Sequence, residues 1–169
     1  LLSYNDYSLD YATAYEEKRR TAVLKLLEGL KSRGVPIGAL GVQAHLGADN
    51  RPFDPAVLRR FLSDVAALGL KIIISELDVR DRELPADFAL RDAKVADMTE
   101  RYLAAALDEK AVIGVLTWGL SDRYSWLSRT ESSKRRDGLD VRGLPFDSEL
   151  MRKPMWAAMA RAFDAAPVR

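Results

Sequence analysis

The amino-acid sequence predicts an α/β protein in which four strands alternate with four helices. Apolar runs of strand length are each followed by a segment with apolar residues at helical spacing, and this order repeats four times in 169 residues. Strands that are connected through helices pair in parallel with right-handed crossovers. Four such units form either a small open sheet or half of a closed barrel. No linker divides them, so we expect one structural unit over residues 1–169.

The first two units span roughly the first seventy residues. Unit one has a strand over 1–7 and a helix that ends near Gly34, and unit two has a strand over 37–44 and a helix with Asp54 as its N-cap. The apolar spacing predicts the sides of these helices that pack on the sheet. They carry Val23, Leu24, Leu27 and Leu30 in the first helix, and Leu58, Phe61, Leu62, Val65 and Leu68 in the second.

The third unit has a strand over 71–79 and a helix over 88–107, and the fourth has a strand over 112–118. The segment over 119–152 is too long for a plain connector, and such loops are usually functional or disordered. Aromatic residues at its start favour a function. The apolar residues that predict the last two helices are Val95, Met98, Tyr102 and Leu103, then Trp156, Met159, Ala160 and Phe163.

The composition narrows the functional classes. The 26 Lys and Arg residues nearly balance the 25 Asp and Glu residues, which argues against nucleic acid or an acidic membrane as a partner. No apolar run reaches the length of a membrane span. Without Cys, the chain has neither a disulfide framework nor a thiolate metal site, and we expect no cofactor.

Polar and aromatic residues cluster where the predicted strands end. Side chains alternate along a strand, so residues two apart are expected on one face. The expected faces are Ser3, Asn5 and Tyr7; Ala39, Gly41, Gln43 and His45; Ile72, Ile74, Glu76 and Asp78; and Gly114, Leu116 and Trp118. A structural core gives no reason for polar groups at the same level of four strands. The carboxyl ends of barrel strands are where active sites lie, so Glu76 is the first candidate for a catalytic group.

Glycoside cleavage is the chemistry that fits these residues. A carboxylate near the anomeric carbon can attack it or stabilise an oxocarbenium ion, and Trp118 and Trp126 suit the apolar faces of sugar rings. We hypothesise that His45 bonds Glu76 and is itself oriented by Asp78, which would keep the nucleophile ionised.

Structural explanations exist for each candidate taken singly. Glu76 could be a carboxylate paired with an Arg, His45 a satisfied core residue, and Asp78 the cap of the following loop. The two tryptophans could be packing residues. A metal site made of His45, Glu76 and Asp78 is a further alternative, although one His and no Cys disfavour it.

The chain resembles the carboxyl-terminal half of the glycoside hydrolase family ten xylanases. The resemblance rests on five short segments in the family's order, which together cover essentially the whole chain. They are Asn5-Asp6-Tyr7, Gly41-Val42-Gln43-Ala44-His45-Leu46, Ile74-Ser75-Glu76-Leu77-Asp78-Val79, Trp118-Gly119-Leu120-Ser121-Asp122 with Tyr124-Ser125-Trp126-Leu127, and Lys153-Pro154. The resemblance implies about the last four units of a (β/α) barrel of TIM type, a half barrel.

The resemblance also implies roles for residues. Glu76 matches the nucleophile of a retaining enzyme that cleaves β-1,4-xylosidic bonds of xylan, supported by His45 and Asp78. Three residues match positions that line the sugar subsites nearest the cleaved bond, and two match the leaving-group side. These are Gln43, Trp118 and Trp126, then Asn5 and Tyr7.

One expected element of the family is missing from these residues. The family's acid/base is a Glu in an Asn-Glu pair, and the sequence has no Asn-Glu pair. Asp78 cannot fill that role if it orients His45, so we expect little or no turnover from this polypeptide alone. The alternatives are a non-catalytic module that binds carbohydrate and a purely structural half barrel.

A half barrel leaves two open sheet edges, so we expect self-association or pairing with a missing amino-terminal half. We expect a secreted or periplasmic location, with any signal upstream of residue 1.

Overall fold

The strands form one parallel sheet with the helices packed against one side. The computed structural model describes residues 1–49 and 51–168. The strands are β1 (Leu2–Asp6), β2 (Ile37–Val42), β3 (His45–Gly47), β4 (Lys71–Arg80) and β5 (Val112–Thr117). The long strand β4 pairs with β2 near its start, with β3 near its end and with β5 on its other side, while β1 pairs with β2. All pairings are parallel, as predicted.

Four helices follow the strands, and the second and third begin where the sequence predicted. They are α1 (Ala14–Ser32), α2 (Pro55–Ala67), α3 (Phe88–Leu107) and α4 (Pro154–Asp164). The Asp54 side chain accepts a hydrogen bond from the amide of Ala56, which confirms it as the N-cap of α2. Gly34 follows α1 with a positive φ of 72°, a conformation that glycine adopts without strain.

The core lies between the sheet and the helices. Leu40, Val42, Ile72 and Ile74 face this layer and are fully buried. The predicted core residues of α2 and α3 pack there as well, whereas Leu30 on α1 is only partly buried. The side of the sheet that carries no helices is its open side. Because Tyr4, Leu40 and Val42 pack toward the helices, the odd-numbered residues of β1 and the neighbouring residues of β2 face the open side.

Helix α4 packs differently from what its large apolar residues suggest. Its buried side carries Met155, Ala158 and Ala162. Trp156, Met159, Ala160 and Phe163 instead line an apolar cavity of about 320 Å³ beside the end of β5. Small side chains let α4 approach its neighbours closely, which leaves its bulkier face at the edge of the sheet.

The predicted single face of Ile72, Ile74, Glu76 and Asp78 is wrong. Ile72 and Ile74 are in the core, and so is Leu77, three residues after Ile74. The pairing of β4 with β5 shifts register between Ile74 and Leu77, so a bulge interrupts the alternation. Glu76 and Asp78 therefore lie on the open side of the sheet, opposite the two isoleucines.

The predicted strand over 37–44 is also interrupted. It ends at Val42, and Ala44 has a φ of 61°, in the left-handed region. The chain then resumes as β3, in which His45 pairs with Asp78 of β4. This break places His45 beside the carboxylates.

The loop over 119–152 is ordered by buried polar contacts. It contains two short 3₁₀ turns, Asp122–Tyr124 and Trp126–Ser128. The ammonium group of Lys153 donates to Asp122 Oδ2 at 2.7 Å and to the carbonyl of Arg142 at 2.7 Å. These bonds join the loop to the start of α4.

The sheet does not close on itself, so the architecture is an open half barrel. Strands β1 and β5 are its edges. Seven large apolar residues near the edges and the open side are substantially exposed: Leu1, Leu2, Ile113, Leu116, Trp118, Leu120 and Phe163. Within residues 1–49 and 51–168, no helix combines the length and the apolarity needed to cross a bilayer.

Candidate active site

Glu76 lies at the bulge of β4 on the open side of the sheet, and its side chain is 13% exposed. Its Oε1 accepts a hydrogen bond from Asn5 Nδ2 at 2.8 Å, and its Oε2 lies 3.3 Å from His45 Nε2. Ser75 Oγ donates to Asn5 Oδ1 at 2.7 Å, which turns the amide nitrogen of Asn5 toward Glu76. Two side chains from different strands therefore hold the carboxylate in one orientation.

Gly41 leaves the space that Asn5 occupies. A Cβ at position 41 would lie 2.4 Å from Asn5 Oδ1, far inside van der Waals contact. Position 41 must therefore be glycine for Asn5 to reach Glu76. Gly41 was predicted on the inward face of its strand, but the sequence indicated no role for it or for Ser75. Both roles depend on the strand order β1–β2–β4, which brings Asn5 across Gly41 to Ser75 and which the sequence does not show.

His45 is held between two carboxylates. Its Nδ1 lies 3.0 Å from Asp78 Oδ1, and the other oxygen of Asp78 accepts a bond from Trp126 Nε1 at 2.6 Å. Burial lowers the pKa of His45, but the hydrogen bond and charge of Asp78 and the charge of Glu76 outweigh it, so the pKa lies above its ordinary value. His45 therefore lies between Glu76 and the fully buried Asp78, and the relay through these three residues stays a prediction.

Two indole rings flank the imidazole. The ring centroids of His45 and Trp126 are 5.2 Å apart, and those of His45 and Trp118 are 6.5 Å apart, both edge-to-face. Trp118 is 49% exposed on the open side of the sheet. The exposed indole of Trp118 next to a carboxylate suits the apolar face of a sugar ring.

Gln43 and Tyr7 border the site, and in the described part of the chain neither of their side chains bonds to the carboxylate of Glu76. The backbone N–H of Gln43 donates to the backbone carbonyl of Asp6 at 3.0 Å. The backbone carbonyl of Gln43 accepts from the backbone N–H of Glu76 at 3.1 Å. This backbone hydrogen bond fixes the position of Glu76 along β4 relative to Gln43. Tyr7 is half-exposed and lines a cavity of about 220 Å³ together with His45 and Trp126.

The three residues of the metal alternative do not converge on one point. His45 turns one ring nitrogen to Glu76 and the other to Asp78, so both nitrogens are already used by the carboxylates. Within residues 1–49 and 51–168, no group of three or more His, Cys, Asp or Glu side chains is arranged to hold a metal ion.

Comparison with known proteins decides the family. The sequence profile described as glycosyl hydrolase family 10 matches residues 1–162. The chain belongs to glycosyl hydrolase family 10. It is 31% identical over 164 residues to endo-1,4-beta-xylanase C of Phanerodontia chrysosporium, a match that covers 97% of this chain and 38% of that relative.

Solved structures of family 10 xylanases share the fold. Xylanase 10B from Thermotoga petrophila RKU-1, crystallised with xylobiose, superposes with a TM-score of 0.82 at 29% identity. That match covers 96% of this chain and 46% of the Thermotoga chain. The endo-1,4-beta-xylanase XylE from Penicillium canescens gives the same TM-score at 26% identity, covering 98% of this chain and 47% of that one. The chain thus spans less than half of these family 10 relatives, and the prediction of a half barrel of TIM type is confirmed.

A buried acidic cluster adjoins the site and was not predicted. Asp10 lines the same cavity as His45 and accepts a hydrogen bond from the Tyr102 hydroxyl at 2.8 Å. Burial raises the pKa of Asp10 to about 6, although the hydrogen bond from Tyr102 lowers it, and the charge of Glu16 adds to the rise.

A second aspartate with a raised pKa lies in the long loop. Burial raises the pKa of Asp122 to about 6, although the charge of Lys153 lowers it.

These pKa shifts predict that the chain is more stable at pH 5 than at pH 7. Between pH 4 and 6 the folded state binds more protons at Asp10 and Asp122 than the unfolded state, so stability falls as pH rises. The raised pKa of His45 acts in the same direction. Its contribution to folding stability is complete below the pKa of the unfolded state and is lost as the pH rises through the pKa of the folded state. We expect about 1 kcal/mol from each aspartate, measured by urea unfolding at the two pH values.

The matched variant for this prediction is Asp10→Asn, which keeps an acceptor for Tyr102 but cannot titrate. It should reduce the difference in unfolding free energy between pH 5 and pH 7. An equal or higher stability at pH 7 in the unmodified chain would contradict the prediction.

Proposed function

We propose that this chain supplies the nucleophile of a retaining glycoside hydrolase that cleaves β-1,4-xylosidic bonds of xylan, and that Glu76 is that nucleophile. The observation that carries the proposal is the oriented carboxylate of Glu76, bonded by Asn5 and next to His45, beside two indole rings. Membership of family 10 and the xylanase relatives support xylan as the substrate.

The surrounding residues prepare Glu76 for attack on an anomeric carbon. Asn5 donates to one oxygen of the carboxylate, and a protonated His45 lies 3.3 Å from the other, so a hydrogen bond and a positive charge both favour the ionised form. Asp78 and Trp126 hold the imidazole in turn. The carboxylate oxygen bonds to the anomeric carbon as the leaving group departs, and water then releases the sugar. Asp78 and His45 act as positioning residues in this scheme.

The second carboxyl group is proposed to come from outside these residues. A retaining mechanism needs two carboxyl groups about 5 to 5.5 Å apart. Asp78 is fully buried, and its two oxygens are engaged by His45 and Trp126, so it cannot exchange a proton with a leaving group. We propose that the acid/base belongs to a complementary half of the barrel that covers the open side of the sheet.

A non-catalytic module that binds carbohydrate is the second candidate. It is favoured by one observation: the indole rings of Trp118 and Trp126 and the polar groups of the site are present in a chain whose own second carboxylate, Asp78, is occupied. Both candidates predict binding of xylo-oligosaccharides, and only the first predicts chemistry at Glu76.

Oligosaccharide binding tests both candidates against a purely structural half barrel. We expect xylotriose to quench the tryptophan fluorescence of the chain, because a sugar ring would stack on the exposed indole of Trp118. Trp118→Ala should weaken binding about fivefold or more, since stacking contributes on the order of 1 kcal/mol or more at such sites. The control is Trp156→Phe, at the cavity of α4 away from Glu76. No response to xylotriose would contradict both candidates.

We also propose that the isolated chain associates through its open sheet edges. Among the residues that the structure describes, no strand pairs with the outer side of β1 or β5, and exposed Leu2 and Ile113 make those edges apolar. We expect light scattering at micromolar concentration to give at least twice the mass of one chain. Ile113→Lys should shift it toward the monomer, whereas Leu26→Lys on the outer side of α1 should not. A fully folded monomer of the unmodified chain would contradict the proposal.

A further inference from the structure

Two exposed tyrosines lie next to one arginine where the chain passes from β1 into α1. Tyr7 follows β1 directly and is 51% exposed, and Tyr15, in the first turn of α1, is 60% exposed. Both ring centroids lie within 6.0 Å of the guanidinium carbon of Arg19. Tyr15 and Arg19 are one turn apart, so they share a face of α1. We call these three side chains the tyrosine strip.

Arg19 holds the ring of Tyr7 from one side. Its Nε donates to the backbone carbonyl of Tyr7 at 3.1 Å, and its Nη2 donates to Asp6 Oδ1 at 2.5 Å. The same oxygen of Asp6 accepts the backbone N–H of Tyr7 at 2.9 Å. The guanidinium carbon lies 4.5 Å from the centroid of the Tyr7 ring and covers one of its faces. Because half of the Tyr7 side chain is exposed, the uncovered part of the ring is open to a ligand.

The charges along the tyrosine strip are balanced. Asp6 pairs with Arg19 at 2.5 Å. The two carboxylates in the first turn of α1 are engaged as well, Glu16 by two backbone N–H groups and Glu17 by Arg20 at 2.8 Å. An aromatic surface without excess charge does not select an ion. It suits an uncharged ligand with apolar faces and hydroxyl groups, and the sugar units of a neutral polysaccharide have both.

The tyrosine strip starts next to the proposed nucleophile, on the side opposite Trp118. Asn5, two residues before Tyr7, bonds Glu76 at 2.8 Å. The strand order places β4, which carries Glu76, between β1 and β5, and Trp118 follows β5. The family resemblance assigns Tyr7 to the leaving-group side. A sugar chain that lies on Trp118 and crosses Glu76 therefore meets Tyr7 next, and the contacts of Arg19 continue to Tyr15.

We propose that the ring of Tyr15 is a further sugar-binding platform, which stacks on a unit of the leaving-group side beyond the unit that Tyr7 contacts. The ligand is an uncharged β-1,4-linked chain that extends from Trp118 past Glu76 to the start of α1. The inference rests on the proposed function, because Tyr7 contacts a leaving group only if Glu76 cleaves the chain. It goes beyond that function because neither the sequence nor the family resemblance indicated a role for Tyr15, and because it makes long chains the preferred ligands.

Isothermal titration calorimetry of the whole chain with xylotriose and with xylohexaose tests the platform. We expect xylohexaose to bind at least about fivefold more tightly, because one further stacked ring strengthens binding by about that factor. Tyr15→Ala should lower the ratio of the hexaose affinity to the triose affinity by about fivefold, and Tyr15→Phe, which keeps the ring, should retain it. The matched control is Phe88→Ala, which removes a half-exposed ring at the start of α3 and should leave the ratio unchanged.

The outcomes separate this inference from the proposed function. Equal affinities for the two sugars in the unmodified chain would overturn the inference alone, and so would a ratio that Tyr15→Ala leaves unchanged. A ratio that falls as far in Tyr15→Phe or in Phe88→Ala as in Tyr15→Ala would also overturn it, because the loss would then not come from stacking on this ring. Absence of binding of both sugars would overturn the proposed function together with the inference.

Discussion

Replacing Glu76 with Gln should abolish covalent capture of an activated xyloside. A 2-deoxy-2-fluoro xylobioside with a dinitrophenolate leaving group needs no acid to protonate the departing oxygen. The carboxylate oxygen of Glu76 attacks the anomeric carbon, the phenolate leaves with the bonding electron pair, and the fluorine slows hydrolysis of the resulting ester. The reagent therefore examines the nucleophile even where the acid/base is absent.

We expect mass spectrometry to show one fluoroxylobiosyl group per chain, attached at Glu76. Glu76→Gln should slow phenolate release by at least about 10³-fold, because an amide is not a nucleophile of comparable strength. His45→Ala should slow it by about 10- to 100-fold, since the imidazole charge 3.3 Å from the carboxylate is lost but the nucleophile stays.

The control is Glu100→Gln, which removes an exposed carboxylate of α3 that pairs with Arg161. It should label at the rate of the unmodified chain. Labelling that persists in Glu76→Gln, or an adduct on a different residue, would show that Glu76 is not the nucleophile. An unlabelled but xylotriose-binding chain would favour the non-catalytic module.

Replacing Asp81 with Asn should produce the largest loss of stability. Asp81 Oδ2 accepts a hydrogen bond from Arg91 Nε at 2.5 Å, and both side chains are fully buried. Removing one partner of a buried ion pair leaves an uncompensated charge in the interior, which costs about 3–5 kcal/mol. Urea unfolding monitored by circular dichroism measures the change in unfolding free energy.

The same pair holds the long loop against the sheet. Arg91 Nη2 donates to the carbonyl of Asp140, Asp81 Oδ2 accepts the amide of Arg142 at 3.3 Å, and the carbonyl of Asp81 accepts from Arg135 at 2.6 Å. Because this loop also carries Trp126, Asp81→Asn should weaken xylotriose binding along with stability.

Two further variants serve as controls for the loss of stability in Asp81→Asn. Asp97→Asn removes an exposed pair with Arg101 on α3 and should change stability by no more than about 0.5 kcal/mol. Replacing Asp81 with Leu and Arg91 with Met together should cost less than Asp81→Asn, because no buried charge remains. Equal effects of Asp81→Asn and Asp97→Asn would contradict the prediction.

Much of the fold follows from local patterns. The ends of α2 and α3 were predicted correctly because caps and apolar spacing are properties of neighbouring residues. The parallel pairing followed from the alternation of strands and helices. The packing of α4 did not follow, because which face of a short helix is buried depends on the helix it meets.

The site shows the same division. A carboxylate at the end of an apolar strand pointed to Glu76, and the polar strand ends pointed to His45, Asp78 and Asn5. Simple alternation placed Ile72 and Ile74 on the same face as Glu76, which is wrong. The contacts of Ser75 and the need for Gly41 depend on a neighbouring strand, so no local pattern indicated them.

The sequence by itself determined the four strand–helix units and the family-specific residues at the strand ends. Tertiary structure decided which way those residues point. The bulge between Ile74 and Leu77 turns Glu76 to the open side, and the break at Ala44 sets His45 opposite Asp78. Both features arise from the register between paired strands. Register is fixed by hydrogen bonds and packing between residues far apart in the chain, which a period of two within one strand does not encode.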